Sequence, residues 1–232
     1  MPTMLPILWK TTEALAINKP AGLSTQAPGA HESVEIRLRN EPGLISGYLA
    51  FPHRLDRPVS GVLLAALTKK AARLRSQQFA SRKTAKVYRA LLSGQLSNRH
   101  GSLCWEDSLR KVAGEARAEP CDPTDESAKV AKTIVTVLDY DPARDVTLVR
   151  FEPITGRMHQ LRLQAAMRGH PIVGDELYGG TPSRVNPSRG TRAVEASLPQ
   201  IHLHAEQLSF HDPATGRRTT VSAKCPWSLS GE

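Results

Sequence analysis

The sequence predicts an α+β fold on a mixed, mainly antiparallel sheet with flanking helices. Two patterns lead there. Apolar, β-branched runs of strand length outnumber the segments of helical period, and most neighbouring runs are separated only by short turns that suit hairpins. The chain has 232 residues, 40% hydrophobic and 23% charged, which is enough for one sizeable core. No internal repeat or clean boundary is visible, so residues 1–232 are expected to form a single domain.

Residues 14–18 (Ala-Leu-Ala-Ile-Asn) read as a short buried strand, stopped by Lys19-Pro20-Ala21-Gly22, where Pro and Gly enforce a turn. Ser33 to Asn40 suits a short helix with Val34 and Leu38 on one face. Gly61 to Leu67 is a continuous apolar run, the pattern of a strand covered on both faces. Thr68 then offers an N-cap for a helix reaching about Ser81. Ala71, Leu74 and Gln78, with neighbouring Ala72, Arg75 and Phe79, give it a helical stripe, and Lys69, Lys70, Arg73, Arg82 and Lys83 make its other face basic. Val87 to Leu92 is the next strand. Ile134–Tyr140 and Val146–Phe151 form a hairpin through a proline-containing turn. Met158 to Arg168 reads as a helix closed by Gly169. His202–Phe210 and Arg217–Ala223 make a last hairpin. Gly179 to Pro199, rich in Gly, Pro, Ser and Arg, is expected to be a long mobile surface loop.

A formal net charge of +9 favours a polyanionic partner, most commonly nucleic acid, although an ordinary basic protein has the same balance. The three cysteines are widely spaced and form no C-x-x-C pair, so zinc-ribbon and thioredoxin-like sites are unsupported. The N-terminus lacks the pattern of a signal peptide, and no apolar run has the length of a membrane span. A cytoplasmic location follows as the expectation.

Three constellations could carry chemistry. In His53-Arg54-Leu55-Asp56-Arg57-Pro58-Val59-Ser60-Gly61, a carboxylate lies between two arginines just before a buried strand. Adjacent cations favour its ionised form, and such an aspartate can act as nucleophile or base; an ion-paired loop aspartate is the bland alternative. In Gly156-Arg157-Met158-His159-Gln160-Leu161-Arg162, Arg157 is expected in a first helical turn, where a cation wants an external anion such as a phosphate or Asp56, or else a surface acid such as Glu152. His159 and Gln160 could reach RNA backbone or hold a neighbouring loop, and Arg162 is expected at solvent or phosphate. In Lys86-Val87-Tyr88, alternation puts the cation and the aromatic on one face, suited to phosphate and an unpaired base, or to a partly buried core tyrosine. Two further pairs are weaker. His202 and His204 lack a third ligand and read as structural, and Asp175-Glu176 suits a surface turn.

Together these segments resemble the RluA family of pseudouridine synthases. The matching stretches are Ile17–Gly22, His53–Gly61 with the following Val-Leu-Leu, Lys86–Tyr88, Thr155–Arg162, Gly169–Asp175 with Leu177–Gly179, and Leu203–Ala205, in the family's order. The resemblance implies the pseudouridine synthase fold with a central cleft, and an isomerase acting on uridine in rRNA or tRNA. It implies that Asp56 is the essential aspartate and that Arg54 enters the RNA stack where the target has left it. Tyr88 would pack on the flipped base, Arg157 would pair with Asp56 near the target phosphate, and Leu161 would line the pocket. His53, Arg57, Lys86, His159 and Arg162 are further possible RNA contacts.

Flipping is needed because a paired uridine hides the atoms to be rejoined, at a cost of a few kcal/mol. An inserted guanidinium can fill the gap. The base need never leave the pocket, so neither metal nor redox cofactor is required. Attack by Asp56 on C1′, attack on the ring and removal of a sugar proton all remain open. The family usually has Thr where Val59 stands, and Thr or similar at Met158, which bears on substrate fit. No room precedes residue 14 for the small S4-type domain of some relatives, so RNA affinity is expected from the catalytic domain itself. The candidate surfaces are the basic helix 69–83 and a loop carrying Arg184, Arg189 and Arg192, in a monomeric protein. A catalytically silent RNA-binding protein and a hydrolase using Asp56 are the competing readings.

Overall fold

A computed structural model describes residues 4–27, 31–45, 47–97, 101–181, 201–213 and 215–229. The expected loop 179–199, with its three arginines, therefore lies outside the described residues from 182 onward. In chain order the first elements are β1 (Ile7–Lys10), β2 (Ala14–Lys19), α1 (Val34–Asn40), β3 (Ser60–Ala66), α2 (Lys69–Ala80) and β4 (Ala85–Ser93). They continue as β5 (Ser102–Lys111), β6 (Ala118–Pro120), β7 (Lys129–Asp141), β8 (Val146–Pro153), α3 (Gln160–Met167), β9 (Leu203–His211) and β10 (Arg218–Ser222). The class is α+β with a mostly antiparallel sheet, as the sequence predicts. The chain forms two compact units. One comprises the residues up to Lys86 and His204–Cys225, and the other runs from Val87 and includes Ile201–Leu203 and the residues from Pro226.

In the first unit the strand order is β1-β2-β3-β9, with β10 on β9. All neighbours are antiparallel except β3 and β9, which run parallel through Ser60–His204 and Gly61–Ala205. Helix α2 starts on the expected cap, Thr68 Oγ1 accepting from Ala71 N–H, and α1 starts after Ser33, whose Oγ accepts from Ile36 N–H. The core packs Ala16, Val62, Leu64, Leu208 and Phe210 with Trp9 and Phe79. Arg75 lies in α2's inward stripe and is almost wholly buried, its guanidinium 5.6 Å from the Trp9 ring and 5.0 Å from the Phe210 ring. Its Nε and Nη1 make no hydrogen bond among the described residues, and the aromatic faces together with the charges of Asp212 and Glu13 offset its burial.

In the second unit the order is β4-β8-β7-β5-β6, antiparallel throughout. The β7–β8 hairpin closes through Asp141, whose carboxylate accepts from Ala143 and Arg144 N–H. Helix α3 docks on β5 and β7 by two amides one turn apart. Gln160 Nε2 donates to Lys132 O and Thr133 Oγ1, and Gln164 Nε2 to Trp105 O, Ala131 O and Asp107 Oδ2. The helix starts at Gln160 instead of Met158, because His159 takes a left-handed conformation (φ 50°, ψ 24°). Strands β1, β5 and β6 go beyond the sequence reading, and β7 begins five residues before the expected Ile134.

The parallel contact of β3 and β9 demands glycine at position 61. A Cβ there would meet the backbone of Ala205, with its nitrogen at 2.6 Å, and φ is +117°. Gly61→Ala is expected to cost about 3 kcal/mol or more, read as a lowered urea midpoint, because backbone on both sides cannot yield.

Candidate active site

Asp56 stands on an arch that leaves and rejoins one edge of β3. At one end of the arch Ala50 and Ala66 exchange backbone hydrogen bonds, and at the other Ser60 and Gly61 pair with β9. In between, Leu64 N–H donates to His53 Nε2 at 3.0 Å, so an imidazole stands where a strand's carbonyl would. The ring also stacks on Phe79 with centroids 4.6 Å apart. Accepting through Nε2 requires the neutral ring. Burial, and then the neighbouring Lys86, push its pKa down to about 3. The arch returns through a turn closed by Val59 N–H donating to Asp56 O, and Ser60 Oγ meets His204 Nδ1 at 2.8 Å. Because His204 Nε2 faces Ala223 O, Nδ1 is the acceptor and the serine hydroxyl donates.

The other side of the arch is braced by residues 19–25. Gly22 N–H donates to Arg57 O, while Arg57 Nε donates to Gly22 O at 2.9 Å. Thr25 Oγ1 donates to Leu55 O and accepts from Leu55 N–H. Lys19 is fully buried, and its ammonium donates to the carbonyls of Pro20, Leu23 and Arg57. Burial lowers its pKa to about 7, and the Asp56 charge opposes that shift. The backbone is thus held immediately before Asp56 at Leu55 and immediately after it at Arg57. Asp56 itself is half-buried, and Arg54 and Arg57 are exposed. Sequence reasoning missed Lys19, Thr25 and the Ser60–His204 bond, since nothing in composition separates a buried lysine from a solvated one. Lys86 is half-buried, and burial lowers its pKa to about 8.

In the second unit Tyr88 is half-buried on β4, opposite Phe151 of β8. Leu161 is buried in the first turn of α3. Arg157 precedes that helix and so is not in its first turn. Its Nε donates to Val130 O, and its N–H donates to the Gln160 side chain. Gln160 therefore takes the loop-holding alternative, since its Oε1 also accepts from Thr155 Oγ1. His159 Nδ1 meets the Tyr178 hydroxyl at 2.9 Å. Two expectations change. Arg162, expected at solvent or phosphate, is buried in a two-pronged pair with Asp175, both distances 2.7 Å, under the Tyr178 ring. Asp175, expected on a surface turn, is 1% exposed. Of the two histidines read as structural, His202 is also buried, its Nδ1 3.3 Å from Val173 O.

Two measurements follow. Because the folded His53 pKa lies below its unfolded value near 6.5, only the unfolded chain takes up this proton as pH falls from 6.5 towards 3. The stability advantage of wild type over His53→Gln in urea unfolding is therefore full at pH 7 and shrinks by about 1–2 kcal/mol at pH 5. Asp175→Asn leaves the Arg162 guanidinium buried without its counter-charge, and calorimetry should show a loss of about 3–5 kcal/mol.

A family model described as RNA pseudouridylate synthase matches residues 13–167. The dual-specificity RNA pseudouridine synthase RluA of Pasteurella multocida is 34% identical over 218 residues, 90% of this chain and 88% of the relative. The tRNA pseudouridine synthase C of Pectobacterium carotovorum is 31% identical over 97% of this chain, which spans 61% of that protein. Among solved structures, human RNA pseudouridylate synthase domain containing 1 superposes with a TM-score of 0.73 at 28% identity, covering 97% of this chain and 85% of the human one. A family match over well more than half the sequence, joined to relatives above 30% identity across nearly all of it, establishes that the chain belongs to the RNA pseudouridylate synthase family, as an RluA-type member.

Proposed function

We propose that the protein isomerises one or more uridines of rRNA or tRNA to pseudouridine, with Asp56 as the essential aspartate. The observation that carries this reading is the double bracing of the Asp56 backbone, by Thr25 on Leu55 and by Gly22 and Lys19 on Arg57. Catalytic geometry tolerates little displacement, so a carboxylate that must meet one atom of a bound nucleotide needs a fixed backbone. Arg54 is assigned to the gap left in the RNA stack, where its planar guanidinium can stack and hydrogen-bond. Tyr88 is assigned to the face of the flipped base, Leu161 to the apolar wall and Arg157 to the target phosphate. Arg57, Lys86 and His159 are secondary RNA contacts in this reading, whereas the engagement of His53 with Leu64 N–H and of Arg162 with Asp175 favours positioning roles.

The reaction breaks N1–C1′, turns the base and joins C5 to C1′. The C5 hydrogen leaves to solvent, and N1 gains a proton. The isomerisation involves no net oxidation. Relatives named as RNA and tRNA pseudouridine synthases, and the charge of this chain, support structured RNA as the substrate class, with rRNA and tRNA as the candidates. No helix among the described residues is long and apolar enough to cross a membrane. A monomeric cytoplasmic enzyme completes the proposal.

Total tRNA and rRNA labelled with tritium at uridine C5 test it. Wild type should release tritium, and Asp56→Ala and Asp56→Asn should lower the rate by more than about 10³-fold with RNA affinity within a few-fold of wild type. Firm binding without release by wild type from any RNA class would instead identify an RNA-binding protein on this scaffold.

A further inference from the structure

We infer that the exposed face of α2 and the turn that follows it, from Lys69 to Lys83, is a docking surface for the phosphate backbone of the substrate RNA, with Arg82 as its most constrained contact. The inference rests on the isomerase reading and adds a surface outside the uridine being modified. Its first support is the distribution of charge. No Asp or Glu occurs between Asp56 and Glu106, while that stretch carries ten Lys and Arg. The net charge of the whole chain is +9, so the rest of the sequence is close to neutral. Lys69, Lys70, Arg73, Arg82 and Lys83 are all exposed, and none of their side chains makes an ion pair or hydrogen bond among the described residues. Ser76 and Gln77 are exposed between them, adding neutral hydrogen-bonding groups along a helix about 18 Å long.

The second support is the way α2 ends. Arg82 N–H donates to Phe79 O and Lys83 N–H to Gln78 O, the pair of bonds that closes a helix through a left-handed residue. That residue is Arg82, at φ 57°, where glycine would be unstrained. A cation serving only to complement the helix dipole could sit within the last turn at no such cost, yet that turn has no basic residue. Strain at a side chain with five donors points to a use for the side chain. An acidic membrane surface is a poorer occupant, because none of the large exposed apolar residues lies between 69 and 83.

Arg82→Gly separates the two roles, since it relieves the strain and removes the contact together. The variant should melt about 2–4 °C higher than wild type, yet bind substrate RNA about 3–10-fold more weakly at 0.1 M salt. The slope of log affinity against log salt should fall by about 1, and by about 3 for Lys69→Gln/Lys70→Gln/Arg73→Gln. Unchanged affinity and slope in both variants would overturn the docking surface, as would a loss confined to phosphatidylserine vesicles. Tritium release by wild type reads the isomerase assignment independently. Release with unaltered variant binding overturns only the surface, and weakened variant binding without release overturns only the isomerase.

Discussion

Strand β3 cannot complete regular pairing along the edge facing away from β2. Its beginning is taken by β9 at Ser60 and Gly61, its end by Ala50 at Ala66, and the two attachments belong to chain segments running in different directions. Residues 50–60 must therefore arch off the edge, and the Leu64 N–H beneath the arch needs an acceptor. An unsatisfied buried donor costs about 1–3 kcal/mol. His53 supplies the acceptor from within the arch itself, so the group that repairs the sheet also fixes the chain three residues before Asp56. The position of the carboxylate is thus a consequence of how one strand satisfies its backbone.

The opposite brace depends on a charge that burial disfavours. Lys19 has three ammonium hydrogens and three carbonyl partners, two in its own turn and one at Arg57. Loss of a proton leaves one carbonyl without a donor, so the charged form is the one that completes the brace. The negative charge of Asp56 opposes the burial that would neutralise Lys19. The dependence runs both ways: removing the carboxylate weakens the electrostatic support of the lysine that holds its loop. This is why an affinity measurement must accompany the rate of any Asp56 variant.

Legibility in the sequence followed apolar periodicity. β2, β3, α2 and the β9–β10 hairpin stand out because their buried positions are hydrophobic and their caps and turns use the expected residues. Strand β5 does not, since Ser102–Lys111 buries only Trp105 and Leu109, four residues apart, which mimics a helical spacing. The later start of α3 follows from the left-handed backbone at His159, which no hydrophobic pattern marks, and its anchors Gln160 and Gln164 are buried amides that look like surface residues in such a pattern. The same blindness covers Lys19, Arg162 and Asp175, whose burial depends on carbonyl and ion-pair partners that a hydrophobic pattern does not show. Asp56 enters as a candidate through its resemblance to the family's motifs, whereas the Thr25 and Lys19 contacts that hold its loop required three dimensions.

The pairing of charge follows the same division between framework and surface. In the second unit many cations are engaged: Arg110 with Glu119 and Asp125, Lys132 with Glu106, Arg168 with Asp107, and Arg162 with Asp175. The exposed members of this set add little to stability, each worth about 0–1 kcal/mol and screened by salt, and the buried Arg162–Asp175 pair is shielded from ions. Among the described residues the exposed cations of α2, Lys69, Lys70 and Arg73, have no such partners, and their attraction for a polyanion decays steeply as salt rises. Ionic strength thus acts strongly on the exposed charge of α2, the proposed RNA-docking surface, and weakly on the framework that holds Asp56. The buried cations Lys19, Arg75 and Arg162 are held by carbonyls, aromatic faces and a carboxylate respectively, whereas the exposed charge on α2 stays available to the RNA proposed to dock there.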